Sequence, residues 1–269
     1  MTFVTANIFT EKQKNITRLQ KENFYIKICT VMKYYIINAL ASEKTKSFLR
    51  KYGQIVEIAQ HPSLPVPEKH HADMQFAKID DNCGVYAPNF AVSNTELFKN
   101  PNIFIGNTIL KDKYPQNVAY NILRCGNIFF HNTNYTDNIV KEAIIKKGGV
   151  LQHVKQGYAG CSSICIPLEN NKHLLLSSDK GIISTADKLQ NDNIITEYFE
   201  DTKNILLPGY DHGFIGGCAG YDNELGLLIY GKTNEQLREL SIKYNFTILS
   251  IFDNALTDIG GISVMYSNQ

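Results

Sequence analysis

The stretch KYYIINALASEKTKSFLRKYGQIVEIA, residues 33–59, decides the fold of this chain. Its apolar run at 33–40 predicts a buried strand. Polar residues from Ser42 onward then start an amphipathic helix that extends to about Tyr52. A second apolar run at 54–59 predicts a strand that returns alongside the first. The stretch is therefore one strand–helix–strand unit.

Four more copies of this unit follow along the chain, at a spacing of roughly 40–50 residues. They begin near Cys83, Cys125, His173 and Leu225. Runs rich in β-forming residues predict the returning strands of the last three copies, VLQHV (150–154), NILLP (204–208) and FTILSI (246–251). Because strands alternate with short helices throughout, the sequence predicts an α/β fold.

Polar residues at the corners of the units mark helix starts. The stretches SNTE (93–96) and TNEQ (233–236) read as capping boxes, in which the first hydroxyl and the fourth side chain satisfy backbone N–H groups. Asp137 is placed to open the helix of the third unit. These local signals predict where the helices of three units begin.

A third kind of segment separates one unit from the next, at residues 71–80, 114–123, 157–167, 213–222 and 254–265. The last three of these segments are rich in small residues followed by β-forming residues. Small residues allow backbones to approach closely, which crowding around a central axis would require. We therefore expect a ligand site where these segments converge.

Composition excludes several classes of function. The formal net charge of +1 and the scattered lysines disfavour binding to nucleic acid or to an anionic membrane. Lys27 and Lys33 interrupt the most apolar stretch, which argues against a membrane span. The six cysteines form no CxxC pair and have no zinc-finger spacing, as expected of a reduced cytoplasmic protein without a metal or other cofactor. The expected partner is a small molecule, and nothing in the chain sets the oligomeric state.

Residues 1–31 do not fit the repeat and are expected to form a leader ahead of a single domain at 32–269. This leader is polar, lacks a clear period and ends just before Met32. Two interpretations remain open. In the first, translation starts at Met32 or the leader is a loosely packed extension. In the second, the leader is an ordinary N-terminal arm docked on the domain surface.

Five strand–helix–strand units, each with a small-residue axial strand, resemble the pentein fold. This fold is a five-fold pseudosymmetric β/α propeller found in the guanidine-modifying superfamily. The resemblance covers residues 32–269, and the closing run DIGGISVM (258–265) is its most telling local match. The segments VKQGYAGCSS (154–163) and GYDHGFIGGCAG (209–220) resemble more closely an uncharacterised bacterial family of pentein-like proteins without an assigned activity.

The resemblance implies chemistry on a guanidino group or on a related amide or amidine. In the superfamily's deiminases, hydrolases and amidinotransferases, acidic side chains hold a planar guanidinium, a cysteine attacks its central carbon, and a histidine moves protons. That cysteine lies in the last repeat, where this chain has Val264. The adjacent Ser263 cannot be taken as its substitute, because neighbouring residues of a strand point to opposite faces. The protein is therefore expected to be either a C–N hydrolase with another nucleophile or a pseudoenzyme that binds a small molecule without catalysis.

Four residues are candidates for the chemistry. Cys161 is the first candidate for the nucleophile, because it lies in a glycine-rich stretch beside Lys155, whose charge would lower the thiol pKa. His71 and Asp73 resemble the His-x-Asp element of deiminases, which makes His71 the candidate proton shuttle. Asp73 and Asp258 would clamp a cation. The structural alternatives are a buried thiol, a turn histidine and a strand-start aspartate.

Eight further residues are predicted to contact the ligand: Lys155, Gln156, Tyr158, Ser162, Asp179, Phe214, Gly216 and Gly217. Lys155 and Gln156 end a strand that points toward the axis, and the aromatic rings of Tyr158 and Phe214 would wall a pocket. The alternatives are a salt bridge at the rim and ordinary aromatic packing. Asp179 is equally suited to be a helix N-cap.

Overall fold

The computed structural model describes residues 31–268, with Asn268 described by its backbone only. Fifteen strands in this range form five three-stranded sheets. The strands are β1 (Val31–Asn38), β2 (Gln54–Ile58), β3 (Phe76–Lys78), β4 (Gly84–Tyr86), β5 (Ile103–Ile105), β6 (Leu123–Cys125), β7 (Ile128–His131), β8 (Val150–His153), β9 (Ser163–Pro167), β10 (His173–Ser177), β11 (Ile194–Tyr198), β12 (Ala219–Asp222), β13 (Gly226–Ile229), β14 (Ile248–Ser250) and β15 (Ser263–Asn268).

Short helices connect these strands. The α-helices of the described range are α1 (Glu43–Leu49), α2 (Ala72–Gln75), α3 (Asn138–Lys146), α4 (Ala159–Ser162), α5 (Lys180–Lys188) and α6 (Glu235–Tyr244). Its 3-10 helices are Val66–Glu68, Glu96–Lys99, Glu169–Asn171, Thr202–Asn204 and Gly216–Cys218. None of these helices is long and apolar enough to cross a lipid bilayer.

All five sheets have the same topology. The middle strand of each sheet pairs antiparallel with one neighbour and parallel with the other, in the orders β15-β1-β2, β3-β4-β5, β6-β7-β8, β9-β10-β11 and β12-β13-β14. A helix crosses over between the two parallel strands of every sheet, as parallel pairing requires. The strand–helix–strand repeat and the α/β class are therefore confirmed.

The first sheet joins the two ends of the described range. β15 pairs antiparallel with β1, so that Val264 lies opposite Tyr35. Because β15 follows the last sheet in the chain, this pairing ties the last sheet to the first. The predicted leader, residues 1–31, lies outside the described residues except for Val31, which begins β1.

Most helix starts agree with the sequence signals, with two differences. Asp137 caps α3 as predicted, by accepting hydrogen bonds from two backbone N–H groups of the first turn. The capping box at 233–236 is wrong by one residue, because Asn234 is the N-cap of α6 and accepts from the Leu237 N–H at 2.9 Å. The other predicted box, at 93–96, leads into a 3-10 helix, since the Ser93 hydroxyl instead accepts a hydrogen bond from the Glu57 N–H.

The predicted returning strand of the fourth unit is also wrong. Residues 204–208 contain the end of a 3-10 helix and a single bridge from Leu206 to Thr257. The strand that returns alongside β10 is β11, which begins at Ile194, fifteen residues after the helix N-cap Asp179, and ends before residue 204. All five residues of β11 are half-buried, so the strand lacks the apolar signature that marked the others.

Apolar side chains fill the space between neighbouring sheets. Leu174 and Leu176 of β10 pack with Leu227 of β13, whereas Leu175 packs on the opposite side with Phe130 of β7. Alternate residues of a strand point to opposite faces. The middle strands are therefore buried on both faces, which explains why the sequence shows them as nearly continuous apolar runs.

In each sheet, we call the strand that pairs antiparallel with the middle strand the first strand of that sheet. The five first strands line one cavity of about 310 Å³, which we call the strand cavity. Its lining includes at least one residue from each of them, among them Phe76 (β3), Leu123 (β6), Ile164 (β9), Gly220 (β12) and Val264 (β15). The strands approach closely at Gly220, where any side chain would overlap the Ile262 carbonyl oxygen. The small residues of the axial segments thus have the steric role that the sequence predicted.

Candidate functional site

A second cavity, of about 300 Å³, lies among the segments that precede β3, β9, β12 and β15 in the chain. We call it the loop cavity. Its lining residues are Glu68, His71, Met74, Tyr158, Cys161, Leu207, Tyr210, Asp211, His212, Phe214 and Asp258. These residues come from four separate stretches of the chain, so the cavity exists only when the repeats have assembled.

Close backbone contacts position the histidine and the aspartates of this cavity. The Asp73 N–H donates to the Gly260 carbonyl at 3.0 Å, which fastens α2 to the segment before β15. Gly260 has a φ of +79°, and any side chain there would overlap His71. Glycine at this position therefore allows His71 to lie beside Asp258.

Asp258 is held in a fixed orientation by backbone donors. Its Oδ2 accepts a hydrogen bond from the Phe214 N–H at 2.9 Å, and its Oδ1 accepts from the Gly260 N–H at 3.0 Å. The carboxylate is buried, with 3% of the residue exposed. Hydrogen bonds from N–H groups stabilise the ionised form of a buried carboxylate, so Asp258 is suited to carry negative charge into the cavity.

A small polar network surrounds the Cys161 thiol. Cys161 Sγ donates to Asp73 Oδ2 at 3.0 Å and accepts from Asn121 Nδ2 at 2.9 Å. Asn121 Oδ1 in turn accepts from the Cys161 backbone N–H at 3.0 Å. Asn121 is fully buried and therefore fixes both the backbone and the sulfur of Cys161.

His71 lies between the two aspartates instead of on the thiol. Its Nδ1 is 3.7 Å from Asp258 Oδ1 and 4.0 Å from Asp73 Oδ1. In the described part of the chain, Asp73 Oδ1 is a buried oxygen without a hydrogen-bond partner. Buried polar atoms without partners are uncommon and call for an explanation, and a ligand donor or a proton on this oxygen would supply one.

Burial and like charge shift the pKa values at this site. Burial raises the pKa of Asp73 to about 6, with the positive charge of His71 opposing and the Asp258 carboxylate adding to the shift. Burial likewise raises the pKa of the Cys161 thiol well above its usual value, and the Asp73 and Asp258 carboxylates raise it further. The lowered thiol pKa expected from Lys155 is therefore wrong, because the exposed Lys155 is adjacent in sequence while the two carboxylates are adjacent in space.

Glu68 is a third acidic residue at the site, beside Asp73 and Asp258, and was missed in the sequence. Its carboxylate is buried, accepting hydrogen bonds from the Tyr210 hydroxyl at 2.8 Å and from Asn117 Nδ2 at 3.1 Å. The same Asn117 amide donates to the Tyr158 hydroxyl at 2.7 Å. Glu68 occupies an ordinary loop sequence, and its importance follows only from these distant partners.

The charge of the loop cavity is strongly one-sided. Its lining contains the carboxylates of Glu68, Asp211 and Asp258 but no lysine or arginine. Within residues 31–268, no three His, Cys, Asp or Glu side chains are arranged so that they could hold a metal ion. Buried carboxylates favour a cationic ligand, and the basic side chain beside Asp258 is His71.

The structure brings some of the predicted site residues together. Cys161, His71 and Asp258 line the loop cavity with Tyr158 and Phe214, and Asp73 reaches the same thiol from α2. Their chemical roles remain predictions. Gly216 lines the strand cavity instead, and a side chain at Gly217 would overlap the Asp258 carboxylate.

The other predicted ligand contacts lie outside the lining of both cavities. Asp179 is the N-cap of α5, accepting from the Ile182 N–H at 2.9 Å, and its other oxygen accepts from Gln156 Nε2. Ser162, the last residue of α4, is fully buried, and Lys155 is exposed to solvent.

Replacing Asn121 by alanine is expected to lower the free energy of unfolding by about 2 kcal/mol, because the buried Cys161 N–H and Asp73 carbonyl lose their partner. Chemical denaturation measures this change. Asn82→Ala is the matched control, since Asn82 is exposed and its loss is expected to cost less than about 0.5 kcal/mol. Equal effects in the two variants would contradict the structural role of Asn121.

Repeated mixed sheets and an acidic cavity among their connecting segments define this chain as an α/β repeat protein with a candidate site for a small cation. The chain belongs to the family of unknown function DUF6873, whose model matches residues 36–263. This match runs from within β1 to the first residue of β15 and includes the whole loop cavity. No curated protein matches the chain.

Proposed function

We propose that the five sheets are the blades of a closed, pentein-like propeller. Three observations support the proposal: all sheets have one topology, their first strands line a single cavity, and β15 pairs with β1 to tie the last sheet to the first. Contacts of β9 with β6 and β12, and of β12 with β15, place successive first strands side by side. In such a ring the loop cavity lies at one end of the axis.

We further propose that the loop cavity binds a small molecule with a guanidinium or amidinium group. The observation that carries this proposal is that Glu68 and Asp258 line a cavity without lysine or arginine. Asp73 contacts the Cys161 thiol at the wall of this cavity. Carboxylates match the planar N–H fork of such cations with paired hydrogen bonds. The free Asp73 Oδ1 is an acceptor that the cation would satisfy.

The proposed reaction is hydrolysis of a C–N bond of this group. The Cys161 thiol passes its proton to Asp73, 3.0 Å away, and its sulfur bonds to the central carbon. The C–N bond breaks, and the departing amine or ammonia takes its electron pair and a proton from His71. Water then attacks the carbon and gives a proton to His71, the C–S bond breaks, and the sulfur regains its proton from Asp73. The products are a urea or an amide and the free amine.

Binding without catalysis is the second candidate function, and one observation favours it. The raised pKa of Cys161 keeps the thiol protonated, and a thiol is a weak nucleophile. Hydrolysis therefore requires that the bound cation itself stabilises the thiolate. If it does not, the same carboxylates hold the ligand unchanged.

Incubation with agmatine and with benzamidine tests both functions. Wild-type protein is expected to gain thermal stability with either probe and to release ammonia or amine over time. Cys161→Ala is expected to retain the thermal shift and to lose the release completely. Cys218→Ala is the matched control, since this thiol is also buried with a raised pKa but donates to the Phe214 carbonyl.

Each part of the proposal has its own contradicting result. A thermal shift without release from the wild type would exclude hydrolysis of these probes and favour binding alone. Release that persists in Cys161→Ala would exclude Cys161 as the nucleophile. Absence of any thermal shift with both cations would contradict the cation site itself.

A further inference from the structure

The strand cavity differs in charge from the loop cavity. Its lining includes Lys78 at the end of β3, Arg124 in β6 and His173 at the start of β10. Asp73 also lines this cavity but precedes β3, so that it and Lys78 lie toward opposite ends of the strand. The basic residues therefore lie toward the end of the first strands that is away from Cys161.

The charge of Lys78 is already neutralised. Its Nζ is 2.9 Å from Asp81 Oδ1 and donates to the Val264 carbonyl oxygen at 2.6 Å. Asp81 has its pKa lowered by Lys78 and Arg124 despite partial burial, as expected for an ionised partner. This ion pair leaves no net positive charge from Lys78.

Arg124 forms no ion pair within residues 31–268, although its charge acts on the Asp81 carboxylate. Its Nε donates to the Gly126 carbonyl at 2.9 Å, which fixes the side chain over the turn between β6 and β7. Across residues 31–268, no carboxylate lies within ion-pair distance of this guanidinium, and its two terminal nitrogens donate no hydrogen bond to the protein. A half-buried guanidinium thus presents free donors at the wall of a cavity large enough for a small molecule.

We propose that the strand cavity binds a small oxyanion, either a carboxylate or a phosphate group, through the guanidinium of Arg124. The guanidinium fork matches two oxygens of either group, and its fixed Nε reduces the conformational cost of binding. His173 and the ion-paired Lys78 border the same space. This site is separate from the loop cavity, because the linings of the two cavities share no residue. Asp73, which borders the strand cavity, lies at the end nearer to Cys161.

Titration calorimetry at constant ionic strength, with inorganic phosphate in one arm and acetate in the other, tests the proposal. Wild-type protein is expected to bind at least one probe saturably, and the arm that binds identifies the oxyanion. Arg124→Gln is expected to weaken this binding about fivefold, the scale of one charged hydrogen bond in a solvent-accessible cavity. Arg238→Gln removes one exposed positive charge from α6 and is expected to leave the affinity unchanged.

The remaining outcomes overturn the proposal. Failure of both probes to bind the wild type would do so, as would equal affinities of wild type and Arg124→Gln. If Arg124→Gln does not fold, Arg124→Lys serves instead, because it keeps the charge but loses the fork and is expected to weaken binding. Agmatine binding in the loop cavity is expected to persist in both variants, which distinguishes failure of this site from failure of the cation site.

Discussion

Gly216→Ala is expected to destabilise the protein by about 3 kcal/mol or more, enough to leave a large unfolded population in a domain of ordinary stability. A Cβ at this position would overlap the carbonyl oxygens of Gly160 and Ser163 and lie 2.7 Å from that of Cys161. All three oxygens are backbone atoms of the segment that forms α4 and enters β9. They cannot rotate away as a side chain would, so the segment carrying Cys161 must move.

Gly148→Ala is the matched control for this substitution. Gly148 follows α3 with a φ of +72°, and a Cβ added there would have no neighbouring atom within 4 Å. Alanine there is expected to cost only about 1 kcal/mol, from the left-handed backbone. Equilibrium denaturation of both variants gives the comparison. Similar losses in the two would show that the close approach of the segments before β9 and β12 is not a requirement of the fold.

The sequence was sufficient to predict most of the fold because its signals are local. The middle strands are buried on both faces, so β1, β10 and β13 appear as apolar runs, and the crossover helices begin at polar corners. β11 was missed because its half-buried residues include Thr196 and Glu197. The run at 204–208 was wrongly predicted to be a strand, because Ile205 and Leu207 are buried without belonging to one.

The candidate site was less predictable, because its chemistry depends on distant neighbours. The convergence of the axial segments follows from the repeat and explains why Cys161, Asp73 and Asp258 come together. Nothing in the local sequence distinguishes Asn121 or Glu68 from other polar residues, since their partners lie about 40 residues or more away along the chain. The predicted direction of the Cys161 pKa shift was wrong for the same reason, because the two carboxylates that raise this pKa are distant in sequence.

Binding of agmatine to the loop cavity is expected to tighten about tenfold between pH 5 and pH 8, because Asp73 must be ionised to hold a cation. Its pKa is raised to about 6, so the carboxyl is mostly protonated at the lower pH. N-carbamoylputrescine, which keeps the ammonium of agmatine but replaces its guanidinium by a neutral urea, is expected to show no such rise. Asp73→Asn is expected to bind agmatine weakly at every pH.

The same titration affects stability in the opposite direction. A carboxyl with a folded-state pKa above its unfolded value of 3.8 stabilises the fold while protonated, and this contribution is lost as pH rises through about 6. Without ligand, wild-type protein is therefore expected to lose about 3 kcal/mol relative to Asp73→Asn between pH 4 and pH 7. Denaturation of the two proteins across this range measures the difference, and parallel pH profiles would show that Asp73 does not titrate there.

His71 lies beside both aspartates, so its effect on the pH dependence of binding must be separated from that of Asp73. The positive charge of His71 opposes the upward shift of the Asp73 pKa. Removing it in His71→Gln is therefore expected to move the rise in agmatine affinity to higher pH, with its size retained. If the rise instead disappears in His71→Gln and survives in Asp73→Asn, the histidine, and not ionisation of the aspartate, controls entry of the cation.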